Sequence, residues 1–250
     1  PHPIGCAAVG VQLMSGPFGS SQWMYNPSTS FYPHSIGQSL RFEDGDSPYL
    51  TRTPSSASNR RTFTWSGWVK RCNPAVTDCV FSAFVDSNNF FTIRFRQTSD
   101  NGRLEVVNYS SGYDLRIEAT NVFRDISSWY HVVVAVDTTQ ATDTNRVKIY
   151  INGTQLTDLS VATYPSQNFD TDVNNTNAHY VGSEGSSSQH LDGYLAEVNF
   201  IDGTALDPSS FGETKAGIWI PKDTSGLTFG TNGFRLKFQD SSALGDDTSG

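Results

Sequence analysis

Charged residues, long apolar runs and strong helix formers are all scarce in this sequence. Charged side chains make up 17% of the chain, and no apolar stretch approaches the ~20 residues that a membrane-spanning helix requires. Alanine and leucine are also sparse, so neither a long helix nor a coiled coil is expected. The sequence therefore predicts a fold with almost no helix and without membrane insertion.

Positive charge and cysteine are the next shortages. The chain has 17 basic and 25 acidic residues and a net charge of −8, whereas a nucleic-acid-binding protein needs a basic face. We therefore do not expect nucleic acid as a partner. Cys6, Cys72 and Cys79 are the three cysteines, and an odd number makes a poor disulfide framework. Cys72 and Cys79 flank a turn-like stretch that one disulfide could close, so the bridged and the free states both stay open.

The residues that are present divide the chain into three regions. Residues 1–38 are rich in Pro, Gly, Ser and aromatic side chains, show no periodicity and are predicted to be an irregular arm that packs on another surface. Residues 39–240 contain short alternating runs with turn signals between them, which is typical of strands. Residues 241–250 are polar and are interpreted as a linker to further sequence. The arm residues predicted to anchor the protein in an assembly are Phe18, Trp23, Tyr25, Phe31 and Tyr32.

Alternation along the predicted strands indicates which side chains form the core. In the run Thr62–Lys70, Phe63, Trp65 and Val69 share one face. Asn152-Gly153 is a strong hairpin signal. About a dozen strands of this kind predict an all-β protein, folded as a two-sheet antiparallel sandwich or a barrel. The predicted core is Phe63, Trp65, Val69, Phe91, Ile93, Phe95, Val132, Val134, Val147, Ile149, Ile151, Leu195 and Val198.

Four stretches, taken in order, resemble the laminin-G/pentraxin-like branch of the concanavalin A-like lectin/glucanase superfamily. They are FTWSGWVK, WYHVVVAVD, NRVKIYINGTQ and HYVGSEGSSSQHLDGYLAEVNFIDGTAL. The resemblance implies a concanavalin A-like jelly roll over residues 39–240. Within it, Trp129 is expected to cap the core at a strand entry, and Glu197 to form a hydrogen bond across the last sandwich strand.

The flanking sequence has a narrower resemblance, to structural proteins of tailed, especially marine, bacteriophages. It is carried by GPFGSSQWMY, FYPHSIGQSLRFEDGDSPYLTRTP and FIDGTALDPSSFGE. This resemblance implies a non-enzymatic structural module of a tail fibre or other virion appendage, assembled in the bacterial cytoplasm. Its partners would be other virion proteins or copies of itself, and analogy with fibres suggests a trimer.

Calcium is the cofactor that the resemblance brings into question, because pentraxin-like members bind it with loop oxygens. The positions that match are Asp86, Asn88 and Asn89 in one loop and Glu184 in another. The second loop has few acids for an ion that takes 6–8 oxygen ligands. We therefore expect no cofactor, and we expect calcium to change little.

Two further functions are weighed as alternatives. A glycan-binding adhesin that recognises host surface polysaccharide would use loop aromatics, for which the candidates are Tyr109, Tyr113, Tyr164 and Tyr180. A retaining glycan hydrolase needs two carboxylates ~5–5.5 Å apart, but Glu197 is followed at alternate positions by Asn199 and Ile201. His131 is expected to be half-buried within the sandwich rather than catalytic, so no catalytic residue is predicted.

Overall fold

The described part of the chain contains sixteen short strands and three single turns of 3-10 helix, at Asp44–Asp46, Asp143–Asn145 and Pro208–Ser210. The computed structural model describes residues 31–97, 99 and 102–250. The strands are β1 (Leu40–Phe42), β2 (Leu50–Arg52), β3 (Thr62–Arg71), β4 (Asp78–Asp86), β5 (Asn89–Phe95), β6 (Arg103–Ser110), β7 (Tyr113–Val122), β8 (Tyr130–Asp137), β9 (Val147–Ile151), β10 (Thr154–Gln155), β11 (Leu159–Thr163), β12 (Ala178–Val181), β13 (Gly193–Asp202), β14 (Gly212–Lys215), β15 (Ile218–Pro221) and β16 (Phe234–Leu236).

Two antiparallel seven-stranded sheets build the sandwich. Sheet A has the order β1-β13-β3-β8-β9-β10, and β16 also pairs with β13. Sheet B has the order β11-β7-β6-β5-β4-β12-β2. The predicted fold class, an all-β two-sheet antiparallel jelly roll, is confirmed.

The main core lies between the two sheets, and its members follow the predicted alternation. Every residue of the predicted core is buried in it except Ile151, which is half-buried and packs against it. Trp65 is fully buried, and its ring lies so close to Gly67 that a Cβ added there would be 2.8 Å from the indole. The predicted face of β3 is therefore the inner face.

The hairpin predicted at Asn152-Gly153 is present. Asn152 and Gly153 have φ of 49° and 81°, as a two-residue hairpin turn between β9 and β10 requires. Asp207 caps the 3-10 turn Pro208–Ser210 by accepting a hydrogen bond from the Ser209 N–H. Cys72 and Cys79 are both free thiols, which settles the open question about this pair.

The structure divides between Pro33 and His34, and the unit His34–Gly250 contains all the strands named above. The predicted linker belongs to this unit, because Asp247 bridges to Leu236 of β16 and the Thr248 N–H donates to the Arg235 carbonyl at 2.9 Å. The polar composition of residues 241–250 therefore marks a solvent-facing segment docked on sheet A.

A second, smaller core covers part of the outer face of sheet A. Val133 of β8 and Ile201 of β13 point away from the main core and pack against Phe211 and Phe229. Those two residues belong to the segment that follows β13, which folds back over the sheet and includes the hairpin β14–β15. This covering segment leaves one end of the outer face open, where β1, β13, β3 and β8 lie side by side.

Candidate functional site

The open end of the outer face carries two tryptophans that strand alternation directs out of the core. Trp68 is three residues after the buried Trp65 on β3, so the two rings lie on opposite faces. Trp129 is adjacent to Tyr130, and Tyr130 is the one that packs on the main core. Trp129 was predicted to cap that core, but it lies half-buried on the outer side, with its ring centroid 6.4 Å from that of Tyr194.

The register of sheet A places aromatic and cationic side chains in one row across four strands. Tyr194 of β13 is opposite Arg41 on β1 and opposite Lys70 on β3. Val69 pairs with Tyr130, so the next antiparallel position sets Lys70 beside Trp129. Arg41 lies over the Tyr194 ring at 5.3 Å. Ring faces and cationic groups thus alternate along this row.

A cavity of about 350 Å³ lies beside this row, and we call it the tryptophan groove. Trp68 and Trp129 are its two rings, and Ala196 and Pro221 also line it. Residues 36–39, which precede β1, supply the remaining lining with Gln38 and Ser39 as the polar groups. Apolar surface with a few polar groups in a concavity is the usual composition of a ligand site.

A buried histidine supports the groove from one side. His131 was expected to be half-buried within the sandwich, but it is 1% exposed and lies on the outer face, under the covering segment. The Trp219 N–H donates to His131 Nδ1 at 3.0 Å, so Nε2 carries the ring proton and donates to Ser66 Oγ at 3.0 Å. Burial lowers the pKa of His131 to about 3. The Trp68 ring packs on this imidazole, with centroids 4.8 Å apart.

Acidic side chains converge at the β1 end of the row. Carboxylate oxygens of Glu43, Asp44 and Asp192 lie within 4.8 Å of one another, and Arg41 pairs with Asp192 at 2.9 Å. None of these residues was selected from the sequence, because they come from positions about 150 residues apart.

The residues predicted for calcium are not all brought together. Asp86, Asn88 and Asn89 form the β4–β5 turn, where the Asp86 carboxylate accepts hydrogen bonds from the Asn88 N–H and the Asn89 side chain. Glu184 instead accepts a hydrogen bond from Arg94 at 2.7 Å. Arg94 is five residues after Asn89 on β5, so the backbones of these two residues are ~17 Å apart at the rise of a strand. Arg94 also pairs with the buried Glu105, so Glu184 belongs to an ion-pair network.

The four predicted tyrosines lie in three places. Tyr109 and Tyr113 are in contact on the outer face of sheet B, with ring centroids 5.1 Å apart. Tyr180, on β12, packs edge-on against Tyr49. Tyr164 packs against the main core near the β9 and β11 edges. The structure therefore assembles only the first two into one surface, and the tryptophan groove was missed.

Glu197, the carboxylate weighed for hydrolysis, is buried in an ion pair. It lies in a β-bulge of β13 with φ of 46°. Both Nε and Nη2 of Arg235 donate to Glu197 Oε1, at 2.9 and 2.7 Å. The Thr224 hydroxyl donates to the same oxygen at 3.1 Å. The expected hydrogen bonding of Glu197 is thus present, with Arg235 on β16 as the main partner.

The predicted assembly anchor falls mostly outside the described residues. Phe18, Trp23 and Tyr25 lie there. Phe31 and Tyr32 are described, are 37% and 49% exposed, and contact each other with ring centroids 4.9 Å apart. A search of the described residues for a helix of sufficient length and hydrophobicity to span a membrane finds none.

Comparison with protein families gives a match over most of the chain. A laminin G-type family model, described as the Concanavalin A-like lectin/glucanases superfamily, matches residues 44–210. That range covers the strands β2 to β13 and therefore most of both sheets. No curated protein matches the chain in sequence.

Solved structures with a similar fold include three distant ones. A native heptameric SAP-like pentraxin from Limulus polyphemus is 17% identical over 67% of this chain and 76% of its own, with a TM-score of 0.48. Domain 4 of AbnA, a GH43 extracellular arabinanase from Geobacillus stearothermophilus, is 19% identical over 64% and 69%, with a TM-score of 0.46. Domains LG4-5 of the mouse laminin alpha1 chain are 12% identical over 72% and 46%, with a TM-score of 0.47.

Proposed function

Because the chain belongs to the Concanavalin A-like lectin/glucanases superfamily, we propose that it is a carbohydrate-binding module that holds a glycan in the tryptophan groove. The observation that carries this proposal is the groove itself, where Trp68 and Trp129 line a cavity of about 350 Å³. The covering segment and residues 36–39 form its sides, so a ligand would lie between two walls rather than on a flat surface.

The chemistry of the groove suits a sugar ring. The C–H face of a pyranose is apolar and packs on an indole face, whereas its hydroxyl groups need hydrogen-bonding partners at the edge. Gln38 and Ser39 line the groove and are exposed, and Lys70 lies in the adjoining row. The rings are already held in place, Trp68 by His131 and Trp129 by Tyr194, so little side-chain ordering would oppose binding.

We propose binding without turnover. Glycoside hydrolysis needs one carboxyl group free to transfer a proton and a second beside the reacting carbon. Glu197 already accepts three hydrogen bonds at one oxygen and lies 4% exposed behind β16. The carboxylates at the β1 end of the row are Asp192, which pairs with Arg41, and its neighbours Glu43 and Asp44.

Glycan-array screening of the whole chain, followed by calorimetry with the best ligand, tests the proposal. Trp129→Ala removes one ring of the groove and should weaken binding by about tenfold or more, which is ~1.4 kcal/mol. Tyr113→Ala is the matched control, since it removes an exposed aromatic on the outer face of the other sheet. Reducing ends should not accumulate during long incubation with the ligand.

Unchanged affinity in Trp129→Ala together with a loss of affinity in Tyr113→Ala would contradict binding in the groove. It would indicate that the glycan binds on the outer face of sheet B. If no glycan binds the whole chain, carbohydrate binding itself is wrong. Release of reducing ends that stops in Glu197→Gln would contradict the non-enzymatic part of the proposal.

The setting of this module is a narrower proposal, supported by the resemblance of the flanking sequence to tailed-phage structural proteins. In that setting the module is part of a virion appendage and the groove contacts host surface polysaccharide. Structural and adhesive roles are compatible, because none of the proposed anchor residues, Phe18, Trp23, Tyr25, Phe31 and Tyr32, lines the groove. Imaging of the assembled particle with an antibody against the domain tests this placement.

A further inference from the structure

A lysine without an acidic partner lies at the rim of the tryptophan groove. Lys70 follows Trp68 by two residues on β3, so both side chains leave the same face of sheet A. It is half-buried, and within the described part of the chain its ammonium group has neither an ion pair nor a hydrogen bond. Its charge is therefore available to a ligand that enters the groove.

The register of sheet A sets Lys70 between the groove and the acidic group at the β1 end of the row. Trp68 pairs with Ala196, and both line the groove. Two residues further along β3, Lys70 pairs with Tyr194. Asp192, which belongs to the acidic group, is another two residues along β13 in the same direction. A molecule in the groove therefore meets the cation of Lys70 before it meets the carboxylates.

Other cationic side chains near the groove already have partners. Arg41 pairs with Asp192 at 2.9 Å, and Lys222 donates to the Ser209 carbonyl at 2.9 Å. None of the residues that line the groove is charged. Among the described residues of this region, Lys70 is thus the cation that can neutralise a negative charge on a ligand.

A uronic acid has the chemistry that fits this arrangement. It differs from a neutral hexose in having a carboxylate in place of the hydroxymethyl group. This carboxylate lies at the edge of the sugar ring, so the ring face can still pack on an indole. An ammonium group has three N–H donors and no acceptor, and it forms charge-assisted hydrogen bonds with a carboxylate. We propose, in an inference that rests on the proposed function, that the glycan in the tryptophan groove contains a uronic acid whose carboxylate is bound by Lys70.

The surroundings of Lys70 strengthen such an ion pair. Exposed ion pairs contribute little, because water screens both charges. Lys70 is half-buried beside Trp68 and Trp129, which exclude part of this water, and a sugar ring packed on the indoles would exclude more. An acidic glycan should therefore bind roughly fivefold more tightly than the same glycan without its charge.

Calorimetry of the whole chain with matched pairs of oligosaccharides tests this inference. The probes are trisaccharides of galacturonate, glucuronate, mannuronate and guluronate. The comparison for each is its methyl ester, which has the same sugar rings without the charge. At least one acidic probe should bind roughly fivefold more tightly than its ester. Sulfated galactotriose tests whether any anion suffices, and it should bind no more tightly than galactotriose.

Variants of Lys70 assign the preference to its charge. Lys70→Met keeps the aliphatic stem, so it should abolish the preference for the acid while the affinity for the ester stays the same. Lys70→Arg keeps the charge and should retain the preference. Lys148→Met is the matched control, because Lys148 of β9 is also half-buried, points out of the same sheet and has no ion pair within the described residues. This control should prefer the acid as the natural chain does.

The outcomes separate this inference from the proposed function. If each acid and its ester bind equally, and a glycan is still bound and is lost in Trp129→Ala, the role of Lys70 is wrong and the groove remains the binding site. A preference that survives in Lys70→Met, or that disappears equally in Lys148→Met, also overturns the inference. So does tighter binding of the sulfated probe than of every uronate. If no glycan of either kind binds, the proposed function is wrong and the inference fails with it.

Discussion

His131 shows how one side chain can join two layers of this protein. It belongs to β8 of sheet A, but its Nδ1 accepts the hydrogen bond of Trp219 on β15. A second proton on the imidazole would lie on Nδ1, where it would face the N–H of Trp219 and leave that donor without an acceptor. Protonation would therefore break the contact that holds the hairpin β14–β15 on the sheet, next to the tryptophan groove.

The burial of His131 and His179 predicts a stability that falls in acid. Burial lowers the pKa of His131 to about 3 and that of His179 to about 4, against about 6.5 in the unfolded chain. The unfolded state therefore binds more protons below pH 6.5, and each histidine removes up to ~1.4 kcal/mol of unfolding free energy per pH unit as the pH falls. The stabilising contribution is complete above pH 6.5. Urea unfolding at a series of pH values between 7 and 4 measures the slope.

Asp78 also changes the stability with pH, so a histidine variant is needed to separate its contribution from that of the histidines. Burial raises its pKa to about 6, which gives the opposite slope between about pH 4 and 6. His179→Asn should therefore make the loss in acid smaller than in the natural chain. An identical slope in this variant would show that His179 does not titrate as its burial requires.

The faces of individual tryptophans could be predicted from the sequence, but their function could not. Trp65 and Trp68 are an odd number of residues apart, so one of them must leave the core. Trp129 and Tyr130 are adjacent and therefore also point to opposite faces. The resemblance implied that Trp129 packs on the core, whereas Tyr130 does so. Whether an outward ring is covered depends on segments far away in sequence, such as the one containing Pro221, and no local pattern gives that information.

At the scale of the element, the β-bulge in β13 is tied to β16. The bulge turns Glu197 into the interface with Arg235, and the two side chains are 5% and 4% exposed. Arg235→Met would leave the Glu197 carboxylate buried without its counter-charge, which typically costs ~3–5 kcal/mol. Urea unfolding should show this loss of stability.

Removing both charges is the matched control for this pair. Arg235→Met combined with Glu197→Leu should recover most of the lost stability, because neither variant residue leaves a buried charge. If the double variant is as unstable as the single one, the loss comes from the packing of the arginine stem.

Strands with a clear alternation were predicted well, and those with mixed faces were not. β3 and β5 have large apolar residues at every second position and match the prediction. β7 alternates Leu115 and Ile117 with Arg116 and Glu118, a signal that was present but not used. β14 and β15 have no such alternation, and their contact with sheet A is made by Trp219, which stacks on His131 and donates a hydrogen bond to it. A covering hairpin of this kind is specified by the surface beneath it.

At the scale of the whole molecule, the division at Pro33 and His34 predicts the effect of removing the arm. Deletion of residues 1–33 should leave a folded sandwich, because every strand of the described residues follows the cut. If the proposed virion setting is correct, the deletion should also abolish incorporation into the particle. Circular dichroism melting measures the first effect, and the amount of the protein in purified particles measures the second. Phe31→Ala with Tyr32→Ala in the full chain tests the exposed aromatic pair alone.

Normal incorporation of the truncated chain would place the anchor elsewhere. Loss of folding would make the arm part of the domain. The sequence predicted the fold class and the inner faces of the sheets, since both follow from alternation. It could not predict the tryptophan groove, because the groove combines residues that come together only when distant segments fold over the sheets.

The pairing of β13 has a topological consequence. β16 and β1 both run antiparallel to β13 along one edge of it, with Leu236 opposite Val198 and Leu40 opposite Leu195. The last strand of the sandwich therefore points directly at the first, across three residues of β13 or ~10 Å. The end of β16 and the start of β1 are therefore neighbours along this edge and could be joined without changing the strand order. A circular permutant, joined here by a short linker and opened at the exposed turn Asp143–Asn145, would preserve every ladder of both sheets.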